Sequence, residues 1–233
     1  MNGVLLIGEP DSLMDALRAK LSGLPVAVHE LGDHAPAGAP AGRPDGDRQG
    51  SAVVALDAWD MSAAPIDRIV FGPVAIEHDL PRTADDIDRL ALSHETAILS
   101  FLMQLQAAGR LLARHRGGQI WVITPDQSAR YLVPIATSPI DTMARRAAVK
   151  SFAREIRRMD VLVNCLEVQL EFDRVPEDQW RTPRNRTNVY ASRFRKSPAT
   201  SVAGFLCGLL AQADLPMSGL VVPVGIGLTE QNI

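Results

Sequence analysis

The sequence predicts an α/β protein, a single domain built on a doubly wound parallel sheet of about seven strands with helices on both faces. Three observations point there. Short continuous apolar runs, of the kind a strand buried on both faces requires, recur along the chain. Between them lie longer segments whose apolar residues return every three or four positions. The 233 residues and a hydrophobic share of 46% suit one sizeable core, and 22% charged residues argues against disorder.

The elements follow in order. Val4 to Ile7 ("VLLI") form the first buried strand. Asp11 or Ser12 then caps a helix carrying Leu13, Leu17 and Leu21 on one face. "PVAVHELGD" is a second strand. Residues 34–50, dense in Gly, Pro and Ala, read as a flexible loop in place of the usual crossover helix. "SAVVALD" and "DRIVFGP" read as two more buried strands. From Asp85 to Arg116, Leu90, Ile98, Leu102, Leu105 and Leu112 keep a helical period, and Gly117–Gly118 supply the stop. "QIWVITP" is the fifth strand. A helix over 140–158 leads into "DVLVNCLEV", the sixth, and "SVAGFLCGLLAQ" is a helix before the last strand, "GLVVPVG". The whole chain, 1–233, is thus expected to be one Rossmann-like domain.

Bulk properties narrow the function. A net charge of −3 gives no electrostatic reason to bind nucleic acid. No apolar run reaches membrane-spanning length, and "MNGVLLIGEPDS" lacks the basic start of a secretory signal, so no membrane partner and a cytoplasmic location are expected. Cys165 and Cys207 sit in apolar surroundings and read as buried, reduced thiols. The five histidines lack a metal-like spacing, and no metal site is expected.

The order of segments resembles the short-chain dehydrogenase/reductase family across nearly the whole chain. "ADDIDRLALSHETAILSFLMQLQ" resembles the family's long helix, and "GGQIWVIT" its strand G-x-I-V-N-I-S. "RRAAVKSFAREIRRMDVLVNCLEV" is similar to its K-A-A-hydrophobic helix and following I-R-V-N strand, and "SGLVVPVGIG" to its closing strand. The resemblance implies a Tyr-x-x-x-Lys pair projecting from one helical face, in which the lysine lowers the tyrosine pKa for proton transfer to or from the substrate. Here Thr142 falls at the tyrosine position and Arg146 at the lysine position. A threonine hydroxyl is too weak an acid for that work, and Arg146 keeps the charge with a different geometry. Thr124 stands near the family's catalytic serine and His94 near the asparagine of its long helix. No catalytic residue is therefore expected, only these degenerate positions.

The resemblance also implies a Gly-rich turn for the cofactor diphosphate. In "IGEPDSLMD" only Gly8 remains, Met14 is expected to project into the phosphate position, and Glu9 and Asp11 repel phosphate. Asp33, after the second strand, is the remnant of a ribose-binding acid. The expectation is no cofactor in this subunit, with NAD(P) held by an active partner.

What the resemblance implies for such a chain is a non-catalytic subunit paired with an active paralogue in a heterodimer or heterotetramer. Mixed assemblies of this kind in the family include dehydrogenases of hydroxyacyl-CoA thioesters. Leu102 and Leu105 on the long helix, with Met143, Ala144, Ala147, Ala148 and Phe152 on the next, are the expected oligomer contacts. Residues 173–197 occupy the family's mobile substrate loop, and Arg181, Arg184, Arg186, Arg193 and Arg195 there suit an anionic ligand or an acidic partner surface. Two alternatives stay open: a divergent oxidoreductase that still binds NAD(P) and uses another acid such as His94 or Tyr131, or a homo-oligomeric ligand-binding regulatory protein.

Overall fold

The computed structural model describes residues 2–8, 11–31, 46–73, 84–115, 117–125, 139–168, 198–213 and 215–224. The elements in chain order are β1 (Gly3–Ile7), α1 (Ser12–Ser22), β2 (Ala27–Leu31), α2 (Gly46–Asp57), β3 (Arg68–Phe71) and α3 (Ala84–Arg114). They continue with β4 (Gly118–Pro125), α4 (Pro139–Ile156), β5 (Val161–Val168), α5 (Ala199–Ala211) and β6 (Val221–Val224). All six strands run parallel in the order β2-β1-β3-β4-β5-β6. The longest pairing, β4 on β5, runs in register from Gly118–Val161 to Pro125–Val168.

Alternation along each strand divides the core in two. Leu5, Ile7, Ile69, Phe71, Ile120, Val122, Val163 and Cys165 face α2, α3 and α4. Val4, Leu6, Val70, Trp121, Ile123, Leu166 and Val168 face α1 and α5. At the amino edge, buried Arg68 donates from Nε to the Leu210 carbonyl (2.9 Å), and Gln119 Nε2 donates to the Gln212 carbonyl (2.6 Å). Both satisfy carbonyls at the end of α5, where a cation also complements the helix dipole.

One predicted strand is a helix, so the described residues hold six strands rather than seven. "SAVVALD" lies in α2, which begins at Gly46, so a crossover helix stands where a loop over 34–50 was expected; residues 32–45 lie outside the described set. In a strand, Ala52, Val54 and Leu56 would share one face. Instead Ala52 and Leu56, one helical turn apart, are buried, while Val54 is 66% exposed. A short apolar run does not distinguish the two conformations by itself.

α3 ends as its glycines predict. Gly117 adopts φ +88° and its N–H reaches back to the Leu112 carbonyl (3.0 Å), a left-handed stop that a side chain would strain. By length and composition the 24 residues Ala91–Arg114 are apolar enough to cross a membrane, contrary to the sequence expectation. In this fold Phe101, Leu105, Ala108 and Leu112 turn that apolar content toward the sheet. Lower on the helix, Gly109 lets α4 approach: a Cβ there would collide with the Phe152 ring and the Ile156 methyl. Gly109→Ala is expected to destabilise the fold by about 1–3 kcal/mol through overpacking, read from a lower denaturation midpoint with an unchanged m-value.

Candidate functional site

In a parallel sheet of this order the chain leaves β1 for β2 on one side and returns past β1 to β3 on the other. The two crossover connections separate there, opening a crevice at the carboxyl ends of β1 and β3. Gly8 closes β1 at φ +137°, and a Cβ on it would sit 3.4 Å from the Gly72 Cα and N. Gly72, after β3, donates its N–H to the Ile7 carbonyl (2.7 Å). Two glycines therefore meet backbone to backbone, a close approach that a side chain on either would crowd.

Met14 is 3% exposed within the core facing α1 and α5, and its thioether packs against Gly72, 3.2 Å from where a Cβ would stand. The acid beside it behaves as expected of a cap: Asp11 Oδ1 accepts from the Met14 N–H at 2.7 Å. A carboxylate thus occupies an amide at the helix terminus that would otherwise favour a bound anion.

The other wall of the crevice is the upper seam between α3 and α4. Arg145 Nη1 donates to the Gly72 carbonyl (3.1 Å), and its guanidinium lies 4.4 Å from the centre of the Phe101 ring. Phe101 in turn meets Phe71 edge to face, with centroids 5.7 Å apart. One turn nearer the start of α4, buried Asp141 accepts from or bonds to His94 Nδ1 across the seam at 2.9 Å. Its second oxygen, Oδ1, is buried and has no hydrogen-bond partner among the described residues. Arg146, the next residue round the helix from Arg145, donates to Glu167 Oε1 near the end of β5 (3.2 Å).

These placements define what each expected position can do. Thr142 is 2% exposed, closed off from solvent. Arg146 is committed to an ion pair with Glu167. Thr124 is fully buried and shares a 3.2 Å hydrogen bond with Cys165 Sγ. Burial pushes the Cys165 thiol up to about 11, against the lesser pull of the Thr124 hydrogen bond, so it stays protonated and inert near neutral pH. Cys207, half-buried, is also held above the usual thiol range by burial.

Of the expected oligomer contacts, Leu102, Met143 and Ala147 are exposed, and Ala144, Ala148 and Phe152 are half-buried. Leu105 is a core residue, 1% exposed, and drops out of that face. Asp33, Tyr131 and the arginines at 181, 184, 186, 193 and 195 lie outside the described residues. Sequence reasoning missed three charged groups: Asp141, Arg145 and Glu167. Their faint signals were the i,i+4 spacing of Asp141 and Arg145 and a lone acid within the apolar "VLVNCLEV".

No family model and no curated protein matches the chain. Solved structures do match its fold. A short-chain dehydrogenase from Leptospira borgpetersenii with bound NAD+ is 12% identical, with 97% of this chain and 92% of that one covered at a TM-score of 0.68. A short-chain dehydrogenase/reductase from Burkholderia xenovorans is 14% identical over 96% and 94%, with a TM-score of 0.69. A small-chain dehydrogenase in complex with NADPH is 14% identical over 97% and 98%, with a TM-score of 0.65. The chain therefore has the short-chain dehydrogenase/reductase fold over nearly its full length.

The neighbours correct one expectation. Absence of cofactor was inferred from the eroded glycine motif, yet the Leptospira protein carries NAD+ and the small-chain dehydrogenase carries NADPH on this same fold. That fold therefore holds a nucleotide in both neighbours, and loss of the later glycines in this chain does not by itself exclude one.

The His94–Asp141 bond is the clearest tie across the upper seam. His94→Ala and Asp141→Ala are each expected to cost roughly 1–3 kcal/mol, because each leaves a buried polar partner unsatisfied. A double-mutant cycle in chemical denaturation should return a coupling energy of about 0.5–3 kcal/mol. Strict additivity would show that the two side chains do not bond in solution.

Proposed function

We propose that this chain is a dinucleotide-binding subunit without the usual proton-transfer pair, assembled with an active NAD(P)-dependent dehydrogenase of the same fold in a heterodimer or heterotetramer. The observation that carries this reading is the state of the two pair positions: Thr142 is shut in the protein and Arg146 is held by Glu167. Neither can offer a proton to a substrate in the crevice. When bound, a nicotinamide dinucleotide supplies a hydride acceptor or donor. Gly8 and Gly72 would admit its backbone-hugging part, while Asp11 would oppose its phosphates from α1. A hydroxyacyl-CoA thioester is the proposed substrate class of the active partner.

The outer face of α3 and α4 supports the assembly. Leu92, Leu99 and Met103 on α3 and Met143 on α4 are each more than half exposed. Two adjoining hollows of about 420 and 310 Å³ along these helices share Gln106, Phe152 and Glu155. α3 is also electrically polar along its exposed side, with Asp88 and Glu95 toward its start and Arg114 toward its end, where Arg110 is paired with Asp57 of α2. A partner helix of the same polarity, laid antiparallel, would set acid on base at both ends around an apolar centre. A paralogue supplies such a helix.

A second reading has one specific observation in its favour. His94, oriented through Nδ1 by Asp141 at 2.9 Å, has the arrangement of a histidine held for acid–base work. In that reading the chain is a divergent oxidoreductase with His94 as its acid.

Co-expression with a dehydrogenase paralogue encoded beside it distinguishes the two. The subunit reading expects a stable mixed oligomer by light scattering and no turnover by this chain alone. Turnover by the isolated chain that disappears in His94→Gln would establish the second reading instead. A separate titration addresses the nucleotide: Asp11→Asn keeps the helix cap but removes its charge, so NADH should bind roughly fivefold more tightly. An unchanged affinity would mean that the phosphates do not approach α1.

A further inference from the structure

We infer that the amino-edge end of the α3–α4 face, where both helices terminate, is an electrostatic docking site whose cations select a partner subunit that sets acidic side chains against them. The inference rests on the subunit reading above and deepens it by giving the partner's chemistry.

The outward stripe of α4 changes character along its length. Met143 and Ala147 open it as exposed apolar positions. Lys150 and Arg154, then Arg157 and Arg158 in the 3-10 turn after the helix, continue it as exposed cations. Arg114, exposed at the end of α3, lines the hollow of about 420 Å³ together with Glu155 and Met159, and so stands beside them. Ala113, Phe152 and Ile156 give that hollow an apolar lining.

None of these cations has an ion-pair or hydrogen-bond partner for its side chain among the described residues, and the exposed acids beside them, Glu155 and Asp160, bond none of them. The helix dipole favours a cation in the last turn of each helix. It gives no reason for Lys150, four residues before Arg154 and of like charge, a spacing that destabilises a helix. Acids supplied from outside turn that repulsion into attraction.

A second copy of this chain does not supply them. Laid antiparallel, its α4 would bring exposed Ile140 and Met143 to this end, while the acid of that turn, Asp141, is buried and bonded by His94. A different chain of the same fold can carry acids there. Its carboxylates meet the guanidinium forks at the rim, and an apolar side chain between them enters the hollow.

The test follows assembly of the full chain with the dehydrogenase paralogue by surface plasmon resonance. Wild-type association should slow roughly tenfold or more between about 0.05 and 0.5 M salt, with dissociation little changed. Arg154→Glu combined with Arg158→Glu should slow association at low salt by roughly tenfold and flatten the salt dependence, and the Arg154→Gln, Arg158→Gln pair should fall between. The wild-type salt series stands even if a variant fails to fold. Assembly indifferent to salt and to charge reversal would overturn this inference and leave the subunit reading intact. Self-association of the isolated chain that charge reversal abolishes would overturn it in favour of a second copy. Retention on phosphatidylserine vesicles that needs the same arginines, with assembly unaffected, would overturn it in favour of a membrane surface. If no mixed oligomer forms, the subunit reading falls, and this inference with it.

Discussion

A sheet whose strands all run one way must be covered on both faces, because every return connection crosses over it. That constraint governs this molecule. Both sides of β1, β3, β4 and β5 are consumed by core packing, with Val70, Trp121 and Leu166 turned one way and Phe71, Val122 and Cys165 the other. Chemistry is left only the strand ends. The amino edge is spent on closing α5, through Arg68 and Gln119. At the carboxyl edge the crossovers separate beside β1 and β3, and there Asp11, Arg145 and Asp141 lie.

The charges at that edge fall at other residue types than the family resemblance implies. Where the family resemblance implies glycines under a helix terminus, an aspartate caps α1. Where it implies a tyrosine and a lysine, a shut-in threonine and an arginine tied to Glu167 stand. On α4, Arg145 donates to the Gly72 carbonyl, and Asp141 bonds His94 of α3. None of these changes disturbs the packing beneath, since Phe101, Val149 and Ala153 still fill the space between α3, α4 and the sheet. Packing and site chemistry involve different atoms of the same helices, so one can be rewritten while the other persists.

The run "VLLI", the leucines of α1, the Gly117–Gly118 stop and the "DVLVNCLEV" strand were legible because each carries a local cause: continuous burial, a helical period, a left-handed turn. "SAVVALD" was not, because a short apolar run satisfies either conformation until its neighbours choose. α2 packs against α3, and Leu56 joins the core cluster that α3 helps to build. In the site, the residue types at Thr142 and Arg146 were visible in the order of residues. What Asp141 and Arg145 do was not, since their partners lie 47 and 73 positions away.

The amino-acid sequence by itself determined the fold class, most of the strands and helices, and which residue types stand at Thr142 and Arg146, because periodicity and residue identity are local properties. Tertiary structure alone decided which way Met14 turned, that Arg146 would meet Glu167, and that Gly8 and Gly72 would face each other across β1 and β3. Those outcomes depend on strand order and helix packing, which bring distant residues within a few ångströms and which no stretch of the chain encodes alone.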